Sequence, residues 1–230
     1  MMRAAVYYNN KDVRVEEMPV PRIGPKEILV KVMASGICGS DVMEWYRIKR
    51  APRVLGHEIA GEIVETGAEV RGFHNGQKVF VSHHVPCNEC RYCMAGYHTA
   101  CATLHSTNFE PGGFAEYVRV PEINVRHGTF LLPDPVTYDE GTFIEPLGCV
   151  IRGQRVADVM KGKTVLVLGS GIAGLMHIHL ARISGVERIV ATDISEYRMN
   201  AARRFGASSV IDAKGDVPGL LKEANDGRLA

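Results

Sequence analysis

The stretch that most constrains the fold is KTVLVLGSGIAGLMHIHLARISG, residues 163–185. It starts as a β-branched, apolar run that ends in glycines, which predicts a strand buried on both faces. It continues with helical spacing up to a terminal glycine. RIVATD then predicts a second buried strand, SEYRMNAARRFGA a second helix with Ser195 as its N-cap, and SVID a third strand. This alternation predicts the first half of a doubly wound α/β domain with a parallel sheet.

The chain before this stretch has a different rhythm. From residue 1 to about residue 135, runs rich in Val, Ile and Tyr alternate with turn residues, as in AAVYY, EILVKVMASGI and GFAEYVRVP. Short strands with frequent turns are typical of a β-barrel or a β-sandwich rather than of a parallel sheet. We therefore predict an all-β domain over residues 1–155 and a partial α/β domain over residues 156–230.

The glycine-rich turn GSGIAG follows the first predicted α/β strand and opens the helix, which is the context of a dinucleotide site. The predicted cofactor-binding residues are Gly169, Gly171, Ile172, Gly174, Asp193 and Arg198. The glycines permit the tight bend, the approach of the backbone to a pyrophosphate and close helix–strand packing. Asp193 ends the second strand, where a carboxylate binds ribose hydroxyls and repels a 2′-phosphate, so NAD is favoured. The alternatives are NADP, which a cation at Arg198 would tolerate, and a glycine turn without a ligand.

Four of the six cysteines are clustered in CNECRYCMAGYHTAC: Cys87, Cys90, Cys93 and Cys101. In a chain without a secretory signal, clustered thiols indicate a metal site rather than disulfides. Four thiolates suit a closed tetrahedral zinc site, which stabilises a loop and leaves no position for substrate. The alternatives are unrelated buried cysteines, an iron–sulfur cluster and a zinc ribbon. Ala102 replaces the proline expected after the fourth cysteine of a ferredoxin run, and a ribbon shows two separated CxxC pairs.

A second set of candidate ligands is dispersed along the chain. GHE places His57 beside Glu58, and SGICGSD places Cys38 in a glycine-rich turn. Cysteine and histidine are zinc ligands, and Asp41 is positioned to orient the His57 ring as a carboxylate behind the metal. Glu145 stands in an apolar setting before a predicted helix, where a carboxylate needs a partner or a function. No local spacing links these residues, so a core thiol, a satisfied histidine and a helix cap remain open alternatives.

Charge and hydropathy exclude several classes of protein. A net charge of +1 gives no electrostatic case for nucleic acid or an anionic membrane surface as a partner. No run reaches the ~18 apolar residues of a membrane span, and the N-terminus lacks the apolar core of a signal peptide. The sequence therefore predicts a cytoplasmic protein.

Together these motifs resemble the zinc-containing medium-chain alcohol and polyol dehydrogenase family over essentially the whole chain. GHEIAGEIVETGAEV fits the family signature GHE-x2-G-x5-G-x2-V at every fixed position. The resemblance implies a GroES-like β-barrel catalytic domain, followed by the first half of a Rossmann sheet. It also implies one structural zinc on the cysteine cluster, one catalytic zinc, and hydride transfer from a secondary alcohol or polyol to NAD.

The resemblance also assigns roles to residues around the catalytic zinc. Cys38 and His57 match two of its ligands. The third-ligand region carries Glu145 rather than a cysteine, as in the sorbitol and threonine dehydrogenase branch, and Glu58 is the alternative ligand. Ser40 matches the hydroxyl that contacts the substrate alcohol. Met43 stands where many relatives have a relay histidine.

Only three α/β strands are predicted before the chain stops, where the family has about six. We therefore expect a fragment that lacks the C-terminal third, is unstable or inactive alone, and forms a homo-oligomer when full length. The alternative function is that of a non-catalytic zinc-binding fragment. The downstream coding sequence is the observation that best separates the two.

Overall fold

The computed structural model describes all 230 residues, which form two compact units, Met1–Glu145 and Pro146–Ala230. The helix Ile144–Val156 crosses this division, and the boundary predicted after residue 155 falls near its C-terminal end. None of the helices combines the length and the apolar composition needed to cross a bilayer.

The first unit is built mainly from short strands. These are β1 (Met2–Asn9), β2 (Asp12–Met18), β3 (Ile28–Gly36), β4 (Arg53–Val54), β5 (Glu58–Thr66), β6 (Lys78–Ser82), β7 (Tyr117–Val120) and β8 (Thr129–Leu131). Its helices are α1 (Glu44–Arg47), α2 (Arg91–Met94), α3 (Ala102–Ser106), α4 (Glu122–Gly128) and α5 (Tyr138–Thr142). Short 3₁₀ segments lie at Gly39–Val42, Ile48–Arg50 and His98–Ala100.

The strands of the first unit form two antiparallel sheets, ordered β2-β1-β4 and β7-β3-β5-β6-β8. The all-β prediction is confirmed. The apolar runs in the sequence did not predict β4 and β8. These strands have only two and three residues, which is too short for a periodic pattern. The core lies on the larger sheet, where fully buried side chains come from adjacent strands: Ile28, Val30, Ile59, Ile63, Val79, Val81, Val118 and Val120.

The second unit alternates strands and helices. Its elements are α6 (Ile144–Val156), β9 (Thr164–Leu168), α7 (Ile172–Ile183), β10 (Arg188–Asp193), α8 (Glu196–Phe205), β11 (Ser209–Asp212) and α9 (Val217–Ala224). The sheet is parallel with the order β11-β10-β9, so the predicted half of a doubly wound domain is confirmed. Apolar residues of α7 and α8 pack on it, including Ile178 and Ala202.

One local prediction for this unit is wrong. β9 is not buried on both faces, because it lies at the sheet edge: Val167 is buried but Leu168 is exposed. The predicted N-cap of α8 is confirmed at Ser195, although the Ser195 side chain makes no capping hydrogen bond. Its backbone amide instead donates to the Asp193 carboxylate at 2.9 Å.

Gly61 lies where β3 and β5 approach each other closely. A Cβ at this position would lie 2.2 Å from the Lys31 carbonyl oxygen. We expect Gly61→Ala to lower the free energy of unfolding by about 1–3 kcal/mol, because the strand backbone has to shift. Urea unfolding measures this loss.

Gly39→Ala is the matched control, since a Cβ there meets nothing within 4 Å. Its effect should stay within about 0.5 kcal/mol. Equal free energies of unfolding for Gly61→Ala and Gly39→Ala would contradict the close approach of the Lys31 carbonyl to Gly61.

Candidate metal and cofactor sites

The pairing of three strands brings the dispersed candidates to one end of the larger sheet. The β3–β5 pairing ends with Gly36 opposite Glu58, and the β5–β6 pairing ends with Glu58 opposite Ser82. Cys38 follows the end of β3 by two residues, and His57 directly precedes β5. The register therefore places these side chains together, although 19 residues separate them in the sequence.

Ligand atoms of Cys38, His57 and Glu58 lie within 4.8 Å of one another. This spread is about twice a zinc–ligand distance of 2.0–2.3 Å, and the set of thiolate, imidazole and carboxylate suits zinc. Gly36 makes room for the carboxylate, because a Cβ there would lie 2.2 Å from Glu58 Oε2. The donor set and its packing thus fit a zinc ion.

Asp41 is a buried carboxylate that connects this donor set to the loop before α1. It accepts hydrogen bonds from the Cys38 amide at 3.1 Å and from Arg47 Nη2 at 3.2 Å, and lies 3.5 Å from His57 Nδ1. Nε2 of His57 is therefore the ring nitrogen left for a metal. Burial lowers the pKa of His57, but the hydrogen bond and charge of Asp41 outweigh burial and raise it to about 9.

The two glutamates differ in their distance from the other donors. Glu58 belongs to the group of ligand atoms, whereas Glu145 lies outside it. Glu145 is nevertheless near enough to feel the charges of His57, Glu58 and Asp41. Burial raises the pKa of both glutamates above the usual range. Both carboxylates therefore gain from a nearby cation.

The Ser40 hydroxyl faces a cavity of about 430 Å³ whose wall also includes Asp41 and His57. Ser40 Oγ accepts a hydrogen bond from Arg47 Nη2 at 2.8 Å. Met43, at the position of the family's relay histidine, lies at the end of the 3₁₀ segment.

Two further histidines on this wall, His83 and His84, were not predicted from the sequence. The His83 ring lies 4.8 Å from the His57 ring, and burial lowers its pKa to about 3. The signal that was available in the sequence is two adjacent histidines after the β-branched, apolar run KVFV, which forms β6.

The cysteine cluster is assembled by one loop and the short helix α2. The Sγ atoms of Cys87, Cys90, Cys93 and Cys101 lie within 4.8 Å of one another. Three of the Sγ–Sγ separations are 3.5, 3.6 and 3.9 Å, too long for a disulfide of about 2.05 Å. They are close to the edge of about 3.8 Å expected for four sulfurs at 2.3 Å from zinc.

Hydrogen bonding and burial act in opposite directions on these thiols. An amide hydrogen bond from Cys87 lowers the pKa of Cys101 to about 5, whereas burial raises that of Cys93 to about 12. Burial disfavours the charged thiolate form of these cysteines, and a bound divalent cation would stabilise that form. The cluster therefore fits a closed zinc site.

In the second unit, the glycine turn lies between β9 and α7. Gly169 has a φ of 88°, and a Cβ on Gly174 would lie 2.0 Å from the Gly169 carbonyl oxygen. A Cβ on Gly171, the N-cap of α7, would meet nothing within 4 Å. Packing within the protein therefore does not require a glycine at residue 171, whereas a ligand approaching the helix N-terminus does.

Asp193 ends β10 beside this turn. Its carboxylate accepts hydrogen bonds from the amides of Ser170 at 2.8 Å and Ser195 at 2.9 Å. These bonds hold the pKa of Asp193 below its usual range, so it is charged at neutral pH. The guanidinium of Arg198 lies 4.0 Å away and is largely exposed. The predicted set of Gly169, Gly171, Ile172, Gly174, Asp193 and Arg198 thus surrounds one helix N-terminus.

Residues 24–134 match the model of the alcohol dehydrogenase GroES-like domain. The chain is 34% identical to sorbitol dehydrogenase of Bacillus subtilis, over 93% of the chain and 62% of that protein. It is 36% identical to L-threonine 3-dehydrogenase of Rhizobium etli, over 86% of the chain and 58% of that protein. The chain thus spans about three fifths of the length of these curated relatives.

The chain is also similar in structure to a solved alcohol dehydrogenase. The alcohol dehydrogenase TADH from Thermus sp. ATN1 superimposes with a TM-score of 0.86 and 30% identity. The match covers 98% of this chain and 68% of that structure.

The two donor sets lead to a prediction about metal content. We expect two zinc ions per chain, because each cluster presents a complete or nearly complete set of donors. Cys93→Ser should lose one ion and Cys38→Ser the other, as measured by elemental analysis after dialysis. Cys149→Ser is the control, since this exposed cysteine belongs to neither cluster. Two ions retained in Cys93→Ser would contradict the assignment of the cysteine cluster.

A second prediction concerns Asp193. Because its pKa is lowered in the folded state, the stability that it contributes is present above the ordinary pKa of about 4 and is lost as pH falls below it. Asp193→Asn should therefore be less stable than wild type near neutral pH, and the difference should shrink in acid. Urea unfolding at several pH values tests this.

Glu223→Gln is the control for this pH series. Glu223 lies on an exposed face of α9, so the free energy of unfolding of Glu223→Gln near neutral pH should stay within about 0.5 kcal/mol of wild type. A pH-independent deficit in Asp193→Asn would count against the role of its charge.

Proposed function

Because this chain belongs to the zinc-containing alcohol and polyol dehydrogenase family, we propose that it transfers a hydride from a secondary alcohol or polyol to NAD. The observation that carries this proposal is the donor set of Cys38, His57 and Glu58 beside a cavity lined by the Ser40 hydroxyl. A set of metal ligands alone is also found in structural metal sites. A hydroxyl group and a cavity beside the ligands are features of a site that binds a small-molecule substrate and reacts with it.

Cys38 and His57 would hold the catalytic zinc, together with Glu58 or Glu145. The zinc supplies a Lewis acid that lowers the pKa of an alcohol hydroxyl. The position of Glu58 inside the group of donor atoms favours it as the third ligand. Asp41 contacts the His57 ring at Nδ1, so Nε2 is the ring nitrogen that would bind the metal. Cys87, Cys90, Cys93 and Cys101 would hold the structural zinc.

Ser40 Oγ is the atom proposed to take the proton of the substrate hydroxyl. Arg47 donates to this oxygen, which fixes the position of the hydroxyl group and leaves its own hydrogen free to rotate. Since Met43 replaces a histidine, the proton leaves by another route, and the half-exposed loop gives solvent access. Orientation at Ser40 and exclusion of water are the contributions of the chain.

The cofactor would bind at the N-terminus of α7, where NAD supplies the hydride acceptor. Gly169 and Gly171 admit the pyrophosphate to the helix N-terminus. The charged Asp193 carboxylate would repel a 2′-phosphate, which supports NAD as the cofactor. The exposed Arg198 beside it keeps NADP as the alternative cofactor.

The test is turnover by the zinc-loaded protein with NAD and a panel of sorbitol, galactitol, 2,3-butanediol, ethanol and L-threonine. Absorbance of NADH reports the rate, expected on the order of 1–1000 per second for a good substrate. Two lengths are assayed, the 230-residue chain and the chain extended by any coding sequence that continues its frame.

Ser40→Ala should lower kcat by about 10²–10⁴-fold, as expected for a lost general base, without loss of zinc. Ser106→Ala is the matched control. Ser106 lies on the same cavity wall, but its hydroxyl donates to the Thr103 carbonyl. Two bound zinc ions with no turnover at either length would favour the non-catalytic alternative over the enzyme.

A further inference from the structure

The cavity beside Ser40 is lined by three arginines, Arg47, Arg50 and Arg53, which form one part of its wall. Its volume of about 430 Å³ is within the usual range of small-molecule sites. The whole chain has a net charge of only +1, so the positive charge at this wall is a local feature.

The wall supplies a carboxylate partner to only one of these arginines. Asp41 is its only carboxylate, and it accepts from Arg47 and the Cys38 amide. The guanidinium groups of Arg50 and Arg53 form no hydrogen bond and no ion pair. An unpaired guanidinium that is partly removed from water is costly unless a ligand supplies the partner.

Arg53 carries most of this cost because it is half-buried. Burial lowers its pKa, and repulsion from Arg47 and Arg50 lowers it further. The guanidinium group of Arg53 is thus close enough to Arg47 and Arg50 to be repelled by both. An anion seated among them would relieve that repulsion and replace the lost hydration.

We propose that the substrate alcohol carries a phosphate monoester, and that Arg47, Arg50 and Arg53 bind the phosphate. A phosphate carries a charge of nearly −2 on three acceptor oxygens, which several guanidinium forks can share. A carboxylate has two oxygens and one charge, which one arginine satisfies. The inference rests on the proposed function, because Ser40 and His57 lie on the same wall.

The experiment is a binding titration that needs neither NAD nor turnover. Trp45 is the only tryptophan and lies next to Tyr46 on the cavity wall, so its fluorescence reports occupancy. Zinc-loaded protein is titrated with sorbitol 6-phosphate, sorbitol and gluconate. We expect sorbitol 6-phosphate to bind at least about tenfold more tightly than the other two, and inorganic phosphate to compete with it.

Charge-neutral variants locate the phosphate. Arg53→Gln and Arg50→Gln should each weaken binding of sorbitol 6-phosphate by about tenfold or more. The exposed Arg50 keeps the test decisive if the half-buried Arg53 cannot be replaced without unfolding. Arg22→Gln removes the same charge from an exposed site outside the cavity and should bind like wild type.

Equal affinity for sorbitol and its phosphate would overturn the proposal, and so would arginine variants that bind like Arg22→Gln. Gluconate binding as tightly as the phosphate would overturn the assignment to a phosphate. A protein that prefers sorbitol 6-phosphate to sorbitol in binding but forms no NADH would contradict the dehydrogenase proposal and leave the phosphate site standing. Turnover of sorbitol without any phosphate preference would overturn the phosphate site alone.

Discussion

The candidate metal site depends on the pairing of Glu58 with Gly36 on one side and with Ser82 on the other. These pairs fix where three strands end, and Cys38, His57 and His83 all lie within two residues of those ends. A slip of one residue between β3 and β5 would turn every side chain of one strand to the opposite face. The buried residues of both strands oppose such a slip, so the hydrophobic core also determines the geometry of the donor set.

Asp41 transmits this geometry to the cavity. Its carboxylate contacts His57, which precedes β5, and Arg47 at the end of α1. Arg47 in turn donates a hydrogen bond to the Ser40 hydroxyl oxygen. In a poorly hydrated site such a network is strong when every member is satisfied. Loss of the carboxylate would therefore disturb the imidazole, the guanidinium and the hydroxyl together.

The sequence predicted what depends on local pattern. Periodicity predicted the strands and helices around Asp193, and the spacing of the cysteines predicted their cluster. The meeting of Cys38 with His57 depends on a long-range register, so it came only from a family resemblance. Arg53 and His83 were missed because the two segments that bring them to one wall, β4 and the end of β6, lie far apart in the sequence. The buried face predicted for β9 was wrong, since a pattern does not show which strand lies at a sheet edge.

The two donor sets are coupled to the fold in different ways. The cysteine cluster spans 15 residues of one loop, so an ion there closes a short segment and stabilises it locally. The set of Cys38, His57 and Glu58 exists only while β3 and β5 are paired, so an ion there stabilises the whole sheet. Unfolding of the sheet removes the site formed by Cys38, His57 and Glu58, whereas the cysteine cluster does not depend on the sheet pairing. The dispersed set is therefore the one whose metal affinity reports whether the first unit is correctly folded.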